Sequence, residues 1–240
     1  MPRKADLSSP SRSSTERIST GIPGLDEEME GGFVKGSVIL VTGGTGTGKT
    51  TFCGQYLWEG LKKGEAGLYI SLEEDPDDIK TDLKRYGFDF EKYEKEGTFK
   101  LVYQNPFEVS DLPSAVINAI NSVNAKRVVI DPISIVAMYL KDAAVMRKRL
   151  FELIRLLKKT GVTAVVTSEI LDNEIGERVG GSLSRDGVSE FVADSVIVLN
   201  LFGIGGGITR SLLIRKMRRT KHGTDIYPIE MGNNGISLKG

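Results

Sequence analysis

One glycine-rich stretch of eight residues constrains this chain more than any other feature. Residues 43–50 read Gly-Gly-Thr-Gly-Thr-Gly-Lys-Thr and fit the phosphate-loop pattern G-x-x-x-x-G-K-[ST]. Glycines allow turns in which successive N–H groups point at one anion, and the next helix directs its positive dipole end to the same place. Lys49 adds a mobile positive charge, and the Thr50 hydroxyl suits Mg²⁺, which prefers hard oxygen ligands. The predicted nucleotide-binding residues are Gly43, Gly44, Thr45, Gly46, Thr47, Gly48, Lys49, Thr50 and Thr51.

The residues on either side have the arrangement that this motif requires. Ser37–Val41 is an apolar, β-rich run directly upstream. Residues 50–62 then show helical spacing, with Phe52, Tyr56, Leu57 and Leu61 towards one face. A strand, a glycine loop and a helix in this order distinguish a phosphate site from a glycine-rich turn that matches by accident. We therefore predict that the chain binds the phosphates of a nucleotide.

Composition argues against several other classes of protein. Lys and Arg number 32 and Asp and Glu number 32, so no net charge recruits nucleic acid to the whole surface. No run approaches the roughly 18 apolar residues of a membrane span, and the N-terminus lacks the apolar segment of a signal peptide. Cys53 is the single cysteine, which rules out an intramolecular disulfide and fits a reducing compartment. We expect a cytoplasmic protein that makes no contact with membranes.

Alternating strand and helix signals predict one α/β domain. Residues 1–17 are rich in serine, proline and charge without periodicity, which predicts a flexible tail; residues 18–240 contain no linker and should form a single domain. Helices are predicted over 50–62, from Pro76 to Gly87, from Ser110 or Asp111 to about Asn124, and over about 144–160. The last of these is amphipathic and should bury Met146, Leu150, Leu153, Ile154 and Leu157. Strands are predicted at 37–42, 66–72, 98–103, 127–131, 162–168, 195–201 and 209–217.

The order of these elements predicts the architecture. Strands that alternate with helices form a mostly parallel central sheet with helices on both faces. The strands after Ser195 have no helices between them, so we expect them to be antiparallel at the edge of the sheet. A second glycine cluster, at 203–207, lies between two strands and predicts a hairpin turn rather than another phosphate site.

Two predicted strands end in carboxylates that suit a nucleotide site. The strand 127–131 ends in Asp131, and a strand-terminal Asp beside a phosphate loop typically holds Mg²⁺ through water. Another apolar strand ends in Glu73 and Glu74, where a carboxylate can orient or deprotonate the attacking water. The alternative is that these two acids only supply negative charge to the start of the next helix. We predict Asp131 as a metal residue, and Glu73, with Glu74 as its partner, as catalytic together with Lys49.

A basic cluster near the C-terminus requires a negatively charged partner. Residues 209–222 carry six lysines and arginines and no acid. Three explanations stay open: the nucleotide phosphates of a neighbouring subunit, nucleic acid, or an exposed edge strand that its charges protect from aggregation. The opposite charges of Glu73–Asp78 and Arg210–Lys221 favour the first, because a head-to-tail contact between subunits can close into a ring.

Several segments of the chain resemble one family of ATPases. Ser19–Asp26, followed by Gly31-Gly32 and the phosphate loop, resembles the segment that leads into the core of RecA/RadA-type ATPases. Three further segments resemble the KaiC branch of that superfamily: Ser71–Pro76, Gly187–Asp194, and Lys216–Arg218 with His222 and Tyr227-Pro228. The resemblance covers nearly all of the chain after the tail. It corresponds to one KaiC-like domain, as in stand-alone KaiC-like ATPases, and not to the tandem pair of the clock protein.

The resemblance implies a fold, an assembly and a set of site residues. The fold is a RecA-like P-loop NTPase, and the assembly is a homo-oligomer, a hexameric ring with ATP or ADP and Mg²⁺ at each subunit interface. Glu73 and Glu74 are then the catalytic pair. The residues that reach the neighbour's nucleotide are Lys216, Arg218 and His222. Thr167–Glu169 matches a strand end that senses the γ-phosphate, with Ser168 as the sensor.

Two other functions stay open at this point. One is a RadA paralogue that acts as a DNA-dependent ATPase, with nucleic acid contacting the loop at 171–187; this is not favoured, because that loop has no aromatic residue for base stacking. The other is a nucleotide-gated scaffold that binds ATP, turns it over very slowly and signals by its assembly state. ATP turnover measured with and without single-stranded DNA separates the three.

Overall fold

The computed structural model describes residues 15–106, 112–139, 142–170, 183–204 and 207–239. The strands are β1 (Arg17–Ile18), β2 (Phe33–Val34), β3 (Val38–Gly43), β4 (Gly67–Ser71), β5 (Phe99–Tyr103), β6 (Arg127–Asp131), β7 (Thr163–Glu169), β8 (Ser195–Ile204), β9 (Gly207–Met217), β10 (Ile226–Gly232) and β11 (Gly235–Leu238). The helices are α1 (Lys49–Lys62), α2 (Pro76–Lys84), α3 (Glu91–Lys95), α4 (Leu112–Val123), α5 (Ser134–Tyr139), α6 (Ala143–Thr160) and α7 (Ser189–Val192).

A nine-stranded sheet forms the centre of the molecule, in the order β11-β10-β9-β8-β3-β7-β6-β4-β5. The strands from β3 to β8 in sequence are parallel to one another. The last three strands are antiparallel and complete one side. The predicted α/β class, with a mostly parallel sheet and an antiparallel C-terminal edge, is confirmed. Within the described ranges, no helix is both long enough and apolar enough to cross a bilayer.

Each face of the sheet has its own hydrophobic core. Successive side chains of a strand point to opposite faces, so Ile39 and Val41 pack with α1 while Val38 and Leu40 pack under α6. Burial on both faces explains why the central strands read as continuous apolar runs. The predicted inner face of α6 is confirmed: Leu150, Leu153, Ile154 and Leu157 are buried, and Met146 is partly buried.

The parallel strands bring four chain segments to one edge of the sheet. Ser71 lies beside Asp131 in the register of β4 and β6, and Gly43 lies beside Glu169 in that of β3 and β7. Ligands of open α/β sheets bind outside these carboxyl ends. The fold therefore collects the phosphate loop and the strand-terminal carboxylates at a single place.

The C-terminal strands differ from the prediction in three ways. The strand after Ser195, β8, is parallel to β3, so the antiparallel part begins only with β9. The basic strand is not at the edge, because β9 pairs with β8 on one side and with β10 on the other. The edge is formed by β10 and β11, which the sequence did not predict: β10 contains Pro228, which argues against a strand, and of its side chains only Ile229 is buried.

Other sequence predictions differ at the boundaries of elements or fall outside the described residues. Arg17 was assigned to the tail, but it lies in β1 and its guanidinium donates to the carbonyls of Met29 and Gly32. The short helix α3 was not predicted. The first fourteen residues, the start predicted for α4 at 110–111, most of the loop at 171–187 and the tip of the hairpin at 205–206 lie outside the described residues. The strands on either side of that tip pair antiparallel, as a hairpin requires.

Candidate functional site

The phosphate loop connects β3 to α1 and leaves its backbone donors facing outward. Helix α1 begins at Lys49, and within the described part of the chain no side chain caps its N-terminus. Its first-turn N–H groups are therefore available to an external anion. A Cβ on Gly43 would lie 2.4 Å from the carbonyl oxygen of Leu199, so only glycine fits there. Gly48 has a φ of 102°, which also favours glycine.

A cleft of about 280 Å³ lies directly above this loop. Its lining residues are Thr45, Gly46, Gly48, Lys49, Thr50, Thr51, Ser71, Glu73, Glu74, Ile79, Asp131, Pro132, Glu169 and Met231. Lys49 Nζ lies 3.1 Å and 3.0 Å from the carbonyl oxygens of Gly43 and Gly44. The buried Thr47 donates its hydroxyl to the Gly44 carbonyl, 2.9 Å away, and so stabilises the loop from inside.

Asp131 is held by three hydroxyl groups at the floor of the cleft. Its side chain is buried, with 9% exposure. Thr50 Oγ1 lies 3.3 Å from Asp131 Oδ2, and the hydroxyls of Tyr69 and Thr167 donate to the two carboxylate oxygens. Burial and the negative charge of Asp131 raise the pKa of Tyr69, so its phenol stays protonated and remains a donor. The carboxylate is therefore fixed beside the loop threonine.

These oxygens fit a magnesium ion that is shared with a nucleotide. The described residues contain no group of three or more His, Cys, Asp or Glu side chains able to enclose a metal by themselves. The Thr50 hydroxyl and the Asp131 carboxylate are hard ligands on one side of the cleft. Mg²⁺ usually takes few protein ligands and completes its shell with phosphate oxygens and water, which this arrangement allows.

The two predicted catalytic glutamates follow β4 and line the same cleft. The Ser71 hydroxyl accepts from the Glu74 N–H at 3.0 Å and donates to the Glu74 carbonyl at 2.6 Å, which fixes the turn. Both carboxylates line the cleft, although the cleft is open and both residues are exposed. Desolvation, followed by the charges of Glu169 and Asp131, raises the pKa of Glu73. Desolvation, followed by the charges of Asp131 and Glu73, raises the pKa of Glu74.

The predicted sensor, Ser168, does not line the cleft. It is fully buried, and its hydroxyl accepts from the backbone N–H of Arg185 at 3.3 Å. Its two neighbours are the residues that reach the site: Thr167 through Asp131, and Glu169 in the wall of the cleft. Glu169 also forms an ion pair with Arg185 at 3.6 Å.

The basic stretch extends from the carboxyl ends of the parallel strands to their amino ends. Arg210 lies at the carboxyl edge, where its Nε and Nη2 are each 3.3 Å from the carbonyl oxygen of Gly46 in the phosphate loop. Lys216 and Arg218 lie at the amino ends of the parallel strands, because Met217 pairs with Ser195 at the start of β8. Six residues of strand separate Arg210 from Lys216 by about 20 Å. The sequence predicted one basic unit and gave no signal for the contact of Arg210 with the loop.

Lys216 and Arg218 lie around the end of α7. Lys216 Nζ donates to three backbone carbonyls, those of Glu190, Phe191 and Ala193, at 2.7–3.2 Å. Burial and the charge of Arg218 lower the pKa of Lys216. Arg218 lies 3.8 Å from Asp194, and beside them Phe191 is 70% exposed.

His222 follows in the connection to β10, and its Nδ1 lies 2.7 Å from the Gly223 carbonyl oxygen. Like Lys216 and Arg218, it is not among the residues that line the chain's own cleft. The structure therefore brings together the residues predicted for the loop, the metal and catalysis, and it keeps the three predicted interface residues apart from them.

Comparison with known proteins agrees with this geometry. The family model described as "ATPase: KaiC" matches residues 18–240. A UPF0273 protein of Methanopyrus kandleri is 37% identical over 240 residues, covering 93% of this chain and 92% of the relative. A UPF0273 protein of Thermotoga maritima is 36% identical, covering 93% of this chain and 96% of the relative. The crystal structure of a KaiC-like protein from Pyrococcus horikoshii superposes with a TM-score of 0.85 at 41% identity, covering 94% of this chain and 100% of that one.

Proposed function

The chain belongs to the KaiC family of ATPases, and on this premise we propose that it hydrolyses Mg²⁺-ATP at the contacts of a head-to-tail ring, most simply a hexamer. One observation carries the proposal. The phosphate loop and its carboxylates lie at the carboxyl ends of the parallel strands, and Lys216 and Arg218 lie at the amino ends. Because this basic end lies away from its own nucleotide cleft, its position supports a role at the cleft of a neighbour. Residues 18–240 act as one domain in this assembly.

Each subunit supplies most of the residues of its own site. The loop N–H groups and Lys49 bind the phosphates. Thr50 and Asp131 would hold a Mg²⁺ ion, which would supply positive charge to the phosphate oxygens. Glu73 accepts a proton from the attacking water or orients it. Its raised pKa supports this role, because a general base works best when its pKa approaches the working pH. Arg210 holds the loop through Gly46.

A second pocket adjoins the phosphate cleft and is suited to the base and ribose of the nucleotide. It shares Thr50, Thr51, Glu74 and Met231 with the phosphate cleft. Its other lining residues are Asp82, Leu83, Arg85, Tyr86, Gly232 and Asn233. Polar and apolar groups together fit a nucleoside. The turn between β10 and β11 thus forms one wall of the site.

The neighbouring subunit supplies the remaining residues of the site. In the single chain the cleft is open and Glu73 is exposed, whereas hydrolysis is favoured in a site from which bulk water is excluded. A neighbour that covered the cleft with its Lys216, Arg218 and His222 would exclude water and add positive charge where it develops in the transition state. The exposed Phe191 beside these cations supports a contact at this surface.

The charge of Glu169 should set the pH at which kcat falls on the acid side. Its negative charge is the second cause of the raised pKa of Glu73, after desolvation. Glu169→Gln removes that charge and should lower the pKa of Glu73, so that the acid limb of kcat moves to lower pH. The measurement is kcat at saturating Mg²⁺-ATP across the acid range. Glu96→Gln, directly after the distant helix α3, is the control and should leave the limb in place. A limb that moves upward or stays fixed in Glu169→Gln contradicts the assignment of Glu73 as the base.

Mixing two inactive variants tests the shared site. Arg218→Ala should still fold and bind nucleotide but hydrolyse poorly, and Glu73→Gln should bind and not hydrolyse. In mixed rings, about a quarter of randomly formed contacts pair an intact Glu73 with an intact Arg218 of the neighbour. We therefore expect turnover to return in part when the two are mixed.

A second mixture is the matched control. Lys49→Ala and Glu73→Gln damage the same half of the site, so no contact between such subunits contains both residues intact. This mixture should stay inactive. If mixed rings of Glu73→Gln and Arg218→Ala form, as detected by mass, and turnover never returns, the arginine does not act across the subunit contact.

A further inference from the structure

Helix α6 carries a basic and aromatic surface that the nucleotide site does not use. Its inner residues pack into the core below the sheet, as described above. The exposed residues that we call the α6 surface are Arg147, Lys148, Phe151, Arg155 and Lys159. At 3.6 residues per turn these five positions fall within an arc of about 120°. They therefore form one continuous strip along the helix.

Ion pairs do not neutralise the positive charge of this strip: within the described residues, none of its four cationic side chains forms one. Glu152, the only acid of the helix, borders the strip and lies 3.4 Å from Arg149. In a chain with equal numbers of acidic and basic residues, such a concentration selects a partner of negative charge.

The aromatic residue in the strip narrows the class of partner. Phe151 is 45% exposed, and the guanidinium carbon of Arg155 lies 5.7 Å from the centre of its ring. An exposed ring flanked by cations is the arrangement on which bases of single strands stack while the cations neutralise phosphates. The carboxylates of an acidic peptide would use the cations but not the ring.

We propose that the α6 surface binds single-stranded nucleic acid. Phe151 stacks on one base, and the four cations contact phosphates on either side. Residues four apart rise about 6 Å along a helix, so the strip from Arg147 to Lys159 is about 18 Å long and accommodates several nucleotides. The site is separate from the phosphate loop and does not depend on ATP hydrolysis.

Fluorescence anisotropy with labelled oligo(dT) and oligo(U) of 20 nucleotides tests the proposal. The titrations are made at several salt concentrations in the Lys49→Ala background, so that the phosphate loop does not contribute. With up to four phosphates neutralised, the slope of log affinity against log salt should be about −2 to −3. Phe151→Ala should weaken binding at least about five-fold with the slope unchanged. Arg155→Ala should make the slope shallower by about 0.7.

The structure offers a matched control for the cation and ring pair. Lys92 on α3 lies 5.6 Å from the ring centre of Tyr93, but its neighbours there are acidic. Lys92→Ala should leave binding unchanged, and circular dichroism should show all variants folded. Absence of binding by the folded protein overturns the proposal. The proposal is also overturned if Phe151→Ala binds with unchanged affinity and poly-glutamate or anionic vesicles displace the strand. That result would indicate a surface that binds anions in general. A loss of self-association in Phe151→Ala with unchanged strand binding would assign the ring to contacts between copies.

Discussion

Lys49→Ala is expected to abolish measurable binding of ATP. Its ammonium group has three donors, and the two loop carbonyls that it contacts lie at the base of the cleft. A hydrogen bond to a charged partner contributes about 1.5–3 kcal/mol, so the loss of contacts with two phosphate groups should weaken binding about 100-fold or more. Isothermal titration calorimetry with Mg²⁺-ATP measures the effect directly.

The fold should not suffer from this change, since within the described part of the chain Lys49 bonds to carbonyls of its own loop and not to the core. Lys62→Ala, at the other end of α1, removes an exposed lysine that pairs with Glu59 at 2.8 Å and is a suitable control. It should bind ATP as the unaltered chain does. An affinity of Lys49→Ala within a few-fold of that value would show that the loop does not bind phosphate as proposed.

Glu73→Gln is expected to keep ATP binding and to lose turnover by about 100-fold or more, as is typical for a general base. The amide has nearly the size of the carboxylate but does not accept a proton. Because the substitution also removes a negative charge from the cleft, affinity for the anionic nucleotide should not fall. Steady-state phosphate release and calorimetry on the same preparation separate the two effects.

Glu74→Gln distinguishes the members of the pair. Glu74 is tied to Ser71 through its backbone, and that tie persists in the glutamine variant, so any loss of rate reflects the carboxylate itself. We expect a smaller loss than for Glu73→Gln. If Glu74→Gln removes turnover while Glu73→Gln retains it, the two roles are exchanged.

The features predicted from the sequence are those that local chemistry determines. The phosphate loop was recognised because glycine is required at Gly43 and Gly48 for reasons that apply to any chain with this turn. Asp131, Glu73 and Glu74 could be predicted as cleft residues because each follows an apolar run, and parallel strands end at one edge. The burial of α6 followed from its periodicity.

The features that were missed depend on which strands are neighbours. Tyr69 and Thr167 reach Asp131 because β4 and β7 are placed on either side of β6, and nothing in their own segments indicates this. The contact of Arg210 with Gly46 follows from the register of β9 against β8. The outer strands escaped prediction because Pro228 and a nearly unburied surface are unusual in a strand.

The position of β9 has a consequence for communication between sites. One end of this strand contacts the phosphate loop of its own subunit through Arg210, and the other carries the cations beside α7. Between these ends β9 pairs with β8, with a bulge opposite Val196 and Ile197, and with β10 over Arg210–Leu213. One strand therefore joins the loop of one cleft to the cations that we propose for the next. In a head-to-tail ring, occupancy of one cleft would be felt by the next subunit in a single rotational sense. Such an assembly has an inherent direction.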